Sequence, residues 1–238
     1  MDTKGHLRSV LLWFNRIMRK EALITGEIHH VFTRSIAGFE IFRAQSNYKR
    51  FVDTLSFYNQ ATTELRFSKF LELLPKSREK FLKSRVSDPL VQIIAYCVMP
   101  THPHFILKQL KEHGISIFMK NALDSFTRYF NTRYKRKGPL WESKFKNILV
   151  QKDEQLLHLT RYIHLNPTSA GLVDKPEEWQ FSSYNQFINN NPSGTLPCNW
   201  DGILDIEPAK YQKFVNDRIS YQRSLAQIKK LLIENYTG

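Results

Sequence analysis

An α+β fold, one antiparallel sheet covered by helices, follows from three features of the 238-residue sequence. Short apolar, β-branched runs alternate with segments whose apolar residues recur at helical spacing. Hydrophobic residues make up 42% and aromatics 13%, which is ample for the core of one sizeable domain with appendages. The runs and helices fall in the order β-α-β-β-α-β-α, a ferredoxin-like layout that is followed by a helical C-terminal appendage.

Each element has its own signal. Leu7, Val10, Leu11, Phe14 and Met18 keep helical spacing, so residues 1–25 read as an N-terminal helical extension packed on the body. Asn15 and Arg16 interrupt that apolar run too early for a secretion signal. No run reaches the roughly 18–20 residues needed to span a bilayer. Residues 28–36 follow Gly26 and read as a strand. Tyr48, Phe51, Val52, Leu55 and Tyr58 form a helical stripe behind Ser46 as its cap. Residues 62–88 are charged and mixed, giving helix fragments broken at Pro75 and Pro89. The continuous apolar run at 90–99 predicts a buried strand ended by Pro100, with residues 102–110 as its partner. After Gly114, Ile115, Phe118, Met119, Ala122, Phe126 and Phe130 predict a second long helix. Gly138–Pro139 ends that region, and residues 141–150 are a fourth strand. Residues 153–166 form a third helix, with Asp153 and Glu154 at its positive end and Pro167 as its stop. The body is therefore expected to span 26–188. Residues 189–207 hold Pro, Gly and Asn and read as a linker. Tyr221, Leu225, Ile228 and Leu232 place a basic helix within 208–238. There is no internal repeat.

Charge narrows the partners. Lys and Arg number 35 against 22 acids, a net +13, so the expected partner is a polyanion: nucleic acid or an acidic membrane surface. Two cysteines, Cys97 and Cys198, lie about a hundred positions apart, which excludes a disulfide scaffold and a cysteine zinc site and fits a reduced cytosolic protein. Residues 128–146 carry seven basic residues and one acid, interleaved with Tyr129, Phe130, Tyr134, Trp141 and Phe145. Cations alternating with rings suit single-stranded nucleic acid. The alternative is a solvated helix end whose rings are simply core. The two combine if Phe130 points inward while Arg133, Lys135, Arg136 and Lys137, with Lys144 and Lys146 beyond, face a nucleic-acid backbone.

Two constellations could carry chemistry. His102 and His104 are two apart on an expected strand, so both imidazoles leave one face and could clasp a divalent ion. Pro103 and Phe105 then face the core, and a proline there marks an edge or an irregularity. Tyr162 and Asn166 are four apart on one helix face, with Gln155 on the same polar stripe. Standing alone, such a tyrosine is an ordinary amphipathic side chain.

Taken together, "YCVMPTHPHFIL", "LTRYIHLNPTSAGLV" and "WQFSSYNQF" resemble the HUH single-tyrosine transposases, and among them most the REP-associated tyrosine transposases. "HHVFTRSI" and "GPLWESKFKNILV" fit the same pattern, so the resemblance covers about 26–188. It implies that His102 and His104 bind a catalytic divalent ion (Mg2+ or Mn2+), that Asn166 completes the metal site, and that Tyr162 is the nucleophile. It further implies single-strand DNA nicking and rejoining through a 5′-phosphotyrosine intermediate, on hairpin or palindromic DNA. Two positions depart from the family pattern: Thr101 stands where many members have Asn, and Pro103 replaces a bulky aliphatic residue. The tail around Trp179, Ser182, Ser183 and Tyr184 implies packing. A bacterial cytoplasmic, nucleoid-associated protein is expected, with no membrane partner and with a homodimer as one option. The competing readings are a metal hydrolase that activates water, and a non-catalytic nucleic-acid-binding protein derived from a transposase.

Overall fold

Strands form where β-branched and apolar residues must be buried on both sides, and here four of them make one sheet. In the computed structural model they are β1 (Ile28–Phe32), β2 (Val91–Val98), β3 (Pro103–Gln109) and β4 (Lys146–Val150). Their order is β2-β3-β1-β4, and every neighbouring pair is antiparallel. The helices are α1 (Gln45–Tyr58), α2 (Phe67–Glu72), α3 (Pro75–Ser84), α4 (Gly114–Arg133), α5 (Asp153–Ser169), α6 (Tyr184–Ile188) and α7 (Pro208–Asn216). The structure describes residues 22–224 apart from 63, 85–86, 190 and 192–195. The expected N-terminal stripe, and Leu225, Ile228 and Leu232 of the C-terminal one, lie outside the described residues. Among the described residues no helix is long and apolar enough to cross a membrane.

Alternation along the strands sorts the side chains onto two faces. On one face Val31 and Phe105 are fully buried with Phe51 of α1 and Phe126 of α4. Phe51 lies 6.4 Å from Phe105 and 5.1 Å from Phe126 between ring centroids. Truncating such a ring to alanine costs about 3–5 kcal/mol. Helix α4 enters close to β2: a Cβ on Gly114 would collide with the Leu90 carbonyl, so only glycine fits there. Gln109 caps this entry, its side-chain oxygen accepting from the Ile115 N–H at 3.2 Å. The opposite face carries His30 and His104 and is approached by α5.

Several expectations are corrected. The first strand stops at Phe32, because Ser35 leaves to bridge Trp141 and a 3-10 turn follows at Ile36–Gly38. The fourth begins only at Lys146, because Trp141 turns inward and donates to Thr127 Oγ1 at 3.1 Å. Ser46 is not the cap of α1; Ala44 holds that position, and no side chain caps the helix. The expected break at Pro75 is present: α2 ends at Glu72, and Pro75 opens α3, since the first helical position needs no N–H. Pro167 does not stop α5, which continues to Ser169. So near the helix end a proline forfeits a single backbone bond, while buried Pro167 and Thr168 keep the turn packed. Nor is β3 an edge strand: it lies between β2 and β1, and Pro103 is tolerated as its first residue.

The expected linker is part of the body across its described residues. Leu196, Cys198 and Trp200 are buried in the main core, and the Asn199 N–H donates to Ile93 O at 2.8 Å. Together with Phe181–Ser183, whose backbone bonds to Tyr96 and Val98, this segment covers the open edge of β2. Helix α7 adds buried Tyr211 and Val215 to the same core.

Candidate active site

The site grows from the turn between β2 and β3. Met99 N–H donates to His102 O at 2.9 Å and His102 N–H returns to Met99 O at 3.3 Å, closing a turn over Pro100 and Thr101. His104 pairs with Phe32 of β1, and His102, two residues earlier, leaves the same face. The two rings lie 4.9 Å apart between centroids, at 83°.

Each ring has one nitrogen already committed. Thr101 Oγ1 lies 2.7 Å from Nδ1 of His102, and Nε2 of His30 lies 3.0 Å from Nδ1 of His104. Among the described residues no hydrogen bond reaches the Nε2 of either His102 or His104. Burial, with the Arg34 charge behind it, pulls His102 down to about 4. His104 lies well below the ordinary histidine value, through burial first and then His102, His30 and Arg34. Both are therefore neutral imidazoles at physiological pH, the form that binds a metal.

Tyr162 arrives from α5, its ring 5.9 Å from that of His104 and nearly perpendicular to it. Burial raises its phenol above the usual value, while the Arg34 charge opposes that rise. With 44% of its surface exposed, the ring still faces solvent. Asn166 lies one turn further along the same helix face. Its side-chain amide nitrogen is buried without a hydrogen-bond partner among the described residues. So the structure brings His102, His104 and Tyr162 together in one chain and sets Asn166 on the helix face that carries Tyr162.

The donors fit a divalent ion. Two neutral imidazoles have their second nitrogens fixed by Thr101 and His30, the outer-shell arrangement that orients metal-binding histidines. A buried, unpaired amide supplies an oxygen-donor candidate once the indistinguishable amide ends are reversed. Among the described residues no group of three His, Cys, Asp or Glu is placed to hold a metal ion.

Sequence reasoning gave no role to His30 or Arg34. The period of two along β1 carried a signal, since it puts His30, Phe32 and Arg34 on the His104 face. Without the strand pairing nothing tied that face to His104.

The basic residues divide. Arg136 is spent locally, donating to Asn131 Oδ1 at 3.1 Å and Pro139 O at 2.7 Å, and so shapes its own turn. Arg133 is exposed at the end of α4, Lys135, Lys137 and Lys144 are exposed on the α4–β4 connection, and Lys146 is exposed opposite Phe32. That connection lies at the site's end of the sheet, where Ile36 N–H donates to Leu140 O at 3.0 Å. The rings between the cations are turned inward: Phe130 and Phe145 are buried, and exposed Tyr134 packs on Phe130 at 4.5 Å. Alternating cations and free stacking rings are therefore not what this segment presents.

Two residues beyond Tyr162, His164 has the opposite environment. It is fully buried, with Nδ1 2.7 Å from Tyr211 Oη and Nε2 2.8 Å from Ser183 Oγ. The Trp179 indole donates to Val98 O at 3.1 Å, so the tail motif packs, as the sequence implied.

Comparison with known proteins fits this geometry. Residues 62–166 match the family described as "Transposase IS200 like". The chain is similar to the IS200-like transposases. That matched stretch contains His102, His104, Tyr162 and Asn166, but neither His30 nor Arg34. A REP-associated tyrosine transposase named from Haemophilus influenzae is 26% identical over 127 residues, 49% of this chain and 70% of its own. A REP-associated tyrosine transposase of Escherichia coli is 23% identical over 126 residues, 52% of this chain and 71% of its own. A solved REP-associated tyrosine transposase bound to a REP hairpin overlaps with a TM-score of 0.47 at 15% identity, covering 80% of this chain and 95% of the other. These sequence matches support a transposase function.

Proposed function

We propose that this chain is an HUH-type single-strand DNA endonuclease and strand transferase, with a sheet order we read as ferredoxin-like. The observation that carries the proposal is the approach of the Tyr162 ring to His104, on the face from which His102 also projects. One helix and one hairpin of the same chain thus supply a nucleophile and two open imidazole nitrogens.

In this mechanism the exposed ring edge of Tyr162 meets single-stranded DNA from the solvent side. Its phenol oxygen forms a bond to phosphorus, and the bond to the 3′ oxygen breaks. The phenol proton is lost, and the departing 3′ oxygen is protonated to a free hydroxyl. Later attack of a 3′-hydroxyl on the phosphotyrosine reverses the exchange, so phosphodiester energy is conserved and no nucleotide cofactor is needed. His102, His104 and Asn166 would hold Mg2+ or Mn2+, which supplies Lewis acidity at the scissile phosphate. Two imidazoles with one amide are softer donors than Mg2+ prefers, so Mn2+ is expected to bind more tightly. Thr101 and His30 keep the two rings aimed by holding their Nδ1 atoms.

Lys135, Lys137, Lys144 and Lys146, with Arg133, offer charge to the DNA backbone, as counterion release favours. The hairpin named in the solved relative makes hairpin DNA the first substrate to try. Incubation of the chain with labelled hairpin oligonucleotides and Mn2+, followed by denaturing electrophoresis, tests the proposal. A protein–DNA adduct in the wild type that is absent from Tyr162→Phe is the expected result. Released product without adduct would indicate a hydrolase, and retention only before denaturation would indicate a binding protein.

A further inference from the structure

Among the described residues, Arg34 is a cation beside the site that the reading above leaves without a role. Arg34 lies just beyond β1, and the antiparallel register continues past the end of that strand. Phe32 pairs with His104, and the Ser35 N–H donates to Thr101 O at 2.8 Å, so Arg34 stands directly across from His102. By the period of two it shares the face of His30, Phe32, His102 and His104. Its backbone is held from the other side as well, because the Glu142 N–H donates to Arg34 O at 3.0 Å.

The side chain itself is exposed and uncommitted. Among the described residues its guanidinium makes no hydrogen bond and enters no ion pair. An exposed arginine is ordinarily a solvated surface charge. This one differs in its setting: its backbone is clamped from both sides, directly across from His102 on the face that carries His30 and His104, and among the described residues no carboxylate forms an ion pair with it. A site of that charge calls for an anion.

We propose that Arg34 binds a non-bridging oxygen of the scissile phosphate. The inference rests on the nuclease reading above and adds a substrate contact that the family match does not reach. A planar guanidinium presents paired N–H donors that suit phosphate oxygens. During attack by Tyr162 the charge on those oxygens must be stabilised, and a fixed donor serves that transition state better than mobile water.

The test uses an oligonucleotide that the wild type cleaves, resynthesised with a neutral methylphosphonate at the mapped scissile position. Arg34→Ala is expected to slow adduct formation on ordinary DNA by about 100-fold, with hairpin retention and melting temperature little changed. On the methylphosphonate substrate the variant should lose far less relative to wild type, because the oxygen that Arg34 contacts no longer carries its charge. Arg34→Lys should recover part of the rate, and it keeps the test available if the alanine variant folds poorly. Equal losses on both substrates, or a wild-type rate in Arg34→Ala, would overturn the assignment while leaving Tyr162 as nucleophile. A wild-type chain that captures no oligonucleotide would instead remove the nuclease reading, and this contact with it.

Discussion

Helix α5 carries two polar environments two residues apart, and they are built on opposite rules. His164 is sealed in the core with both ring nitrogens paired, one to Tyr211 and one to Ser183. Ser183 in turn accepts from the Tyr96 N–H at 2.9 Å, so this network ties α5, α7, β2 and the tail segment together. Tyr162, on another face of the same helix and one turn from Asn166, meets the imidazole of His104, which keeps one nitrogen open. Saturated polar groups add rigidity, because each buried donor and acceptor has a partner. Open ones cost stability unless a ligand completes them. The first region holds the second in place.

The contrast can be broken from either side. Tyr162→Phe should abolish covalent capture of DNA, read on a denaturing gel, while hairpin retention and melting temperature stay at wild-type values. A surviving adduct would show that the open face does not supply the nucleophile. His164→Leu should do the reverse at first: it takes the imidazole partner from the buried Tyr211 hydroxyl and from Ser183, which keeps its bonds to Tyr96, costing about 2–5 kcal/mol in a denaturant titration. A variant as stable as wild type would mean that the paired network is not what anchors α5.

Proton linkage sharpens the difference. Burial lowers His164 to about 3 in the fold, against 6.5 unfolded. The unfolded chain therefore binds the proton more readily, so stability is intact above pH 6.5 and falls as pH drops toward 3. For this group the slope is about 1.4 kcal/mol per pH unit. In chelator, folded His164→Gln should show a pH dependence shallower than wild type by one proton. Parallel curves would mean that His164 does not titrate on unfolding.

Metal addition probes the open side. At 100 times its dissociation constant, Mn2+ should stabilise the wild type by about 2.7 kcal/mol, seen as a higher melting temperature, and should leave His102→Ala unmoved. An equal shift in both would place the ion elsewhere. Thr101→Val, which frees the His102 ring, is the smallest change: Mn2+ affinity by calorimetry should fall about 10-fold. An unaltered affinity would mean that the 2.7 Å contact does not orient the ring.

Some of this was legible before any coordinates. Helical stripes such as Ile115–Phe130 and the apolar runs at 90–99 and 102–110 are local signals, fixed by the repeat of the backbone itself. The same-face placement of His102 with His104, and of Tyr162 with Asn166, follows from those repeats alone. Where local rules misled, burial overrode them. Pro167 sits inside a packed final turn, and Leu196, Cys198 and Trp200 alternate along a segment whose Pro and Asn content had marked a linker. That alternation was a usable signal, since it is the pattern of a strand-like segment lying against a sheet edge.

What the sequence alone determined was the set of elements and the faces on which their polar residues lie, because period and propensity act over a few residues. Only the tertiary structure decided which of those faces meet. The pairing of β1 with β3 gave His104 its partner in His30 and set Arg34 across from His102. Docking of α5 and α7 left His164 with no open nitrogen. Histidines are alike as letters; their chemistry is set by distant neighbours, chosen by packing across long stretches of chain.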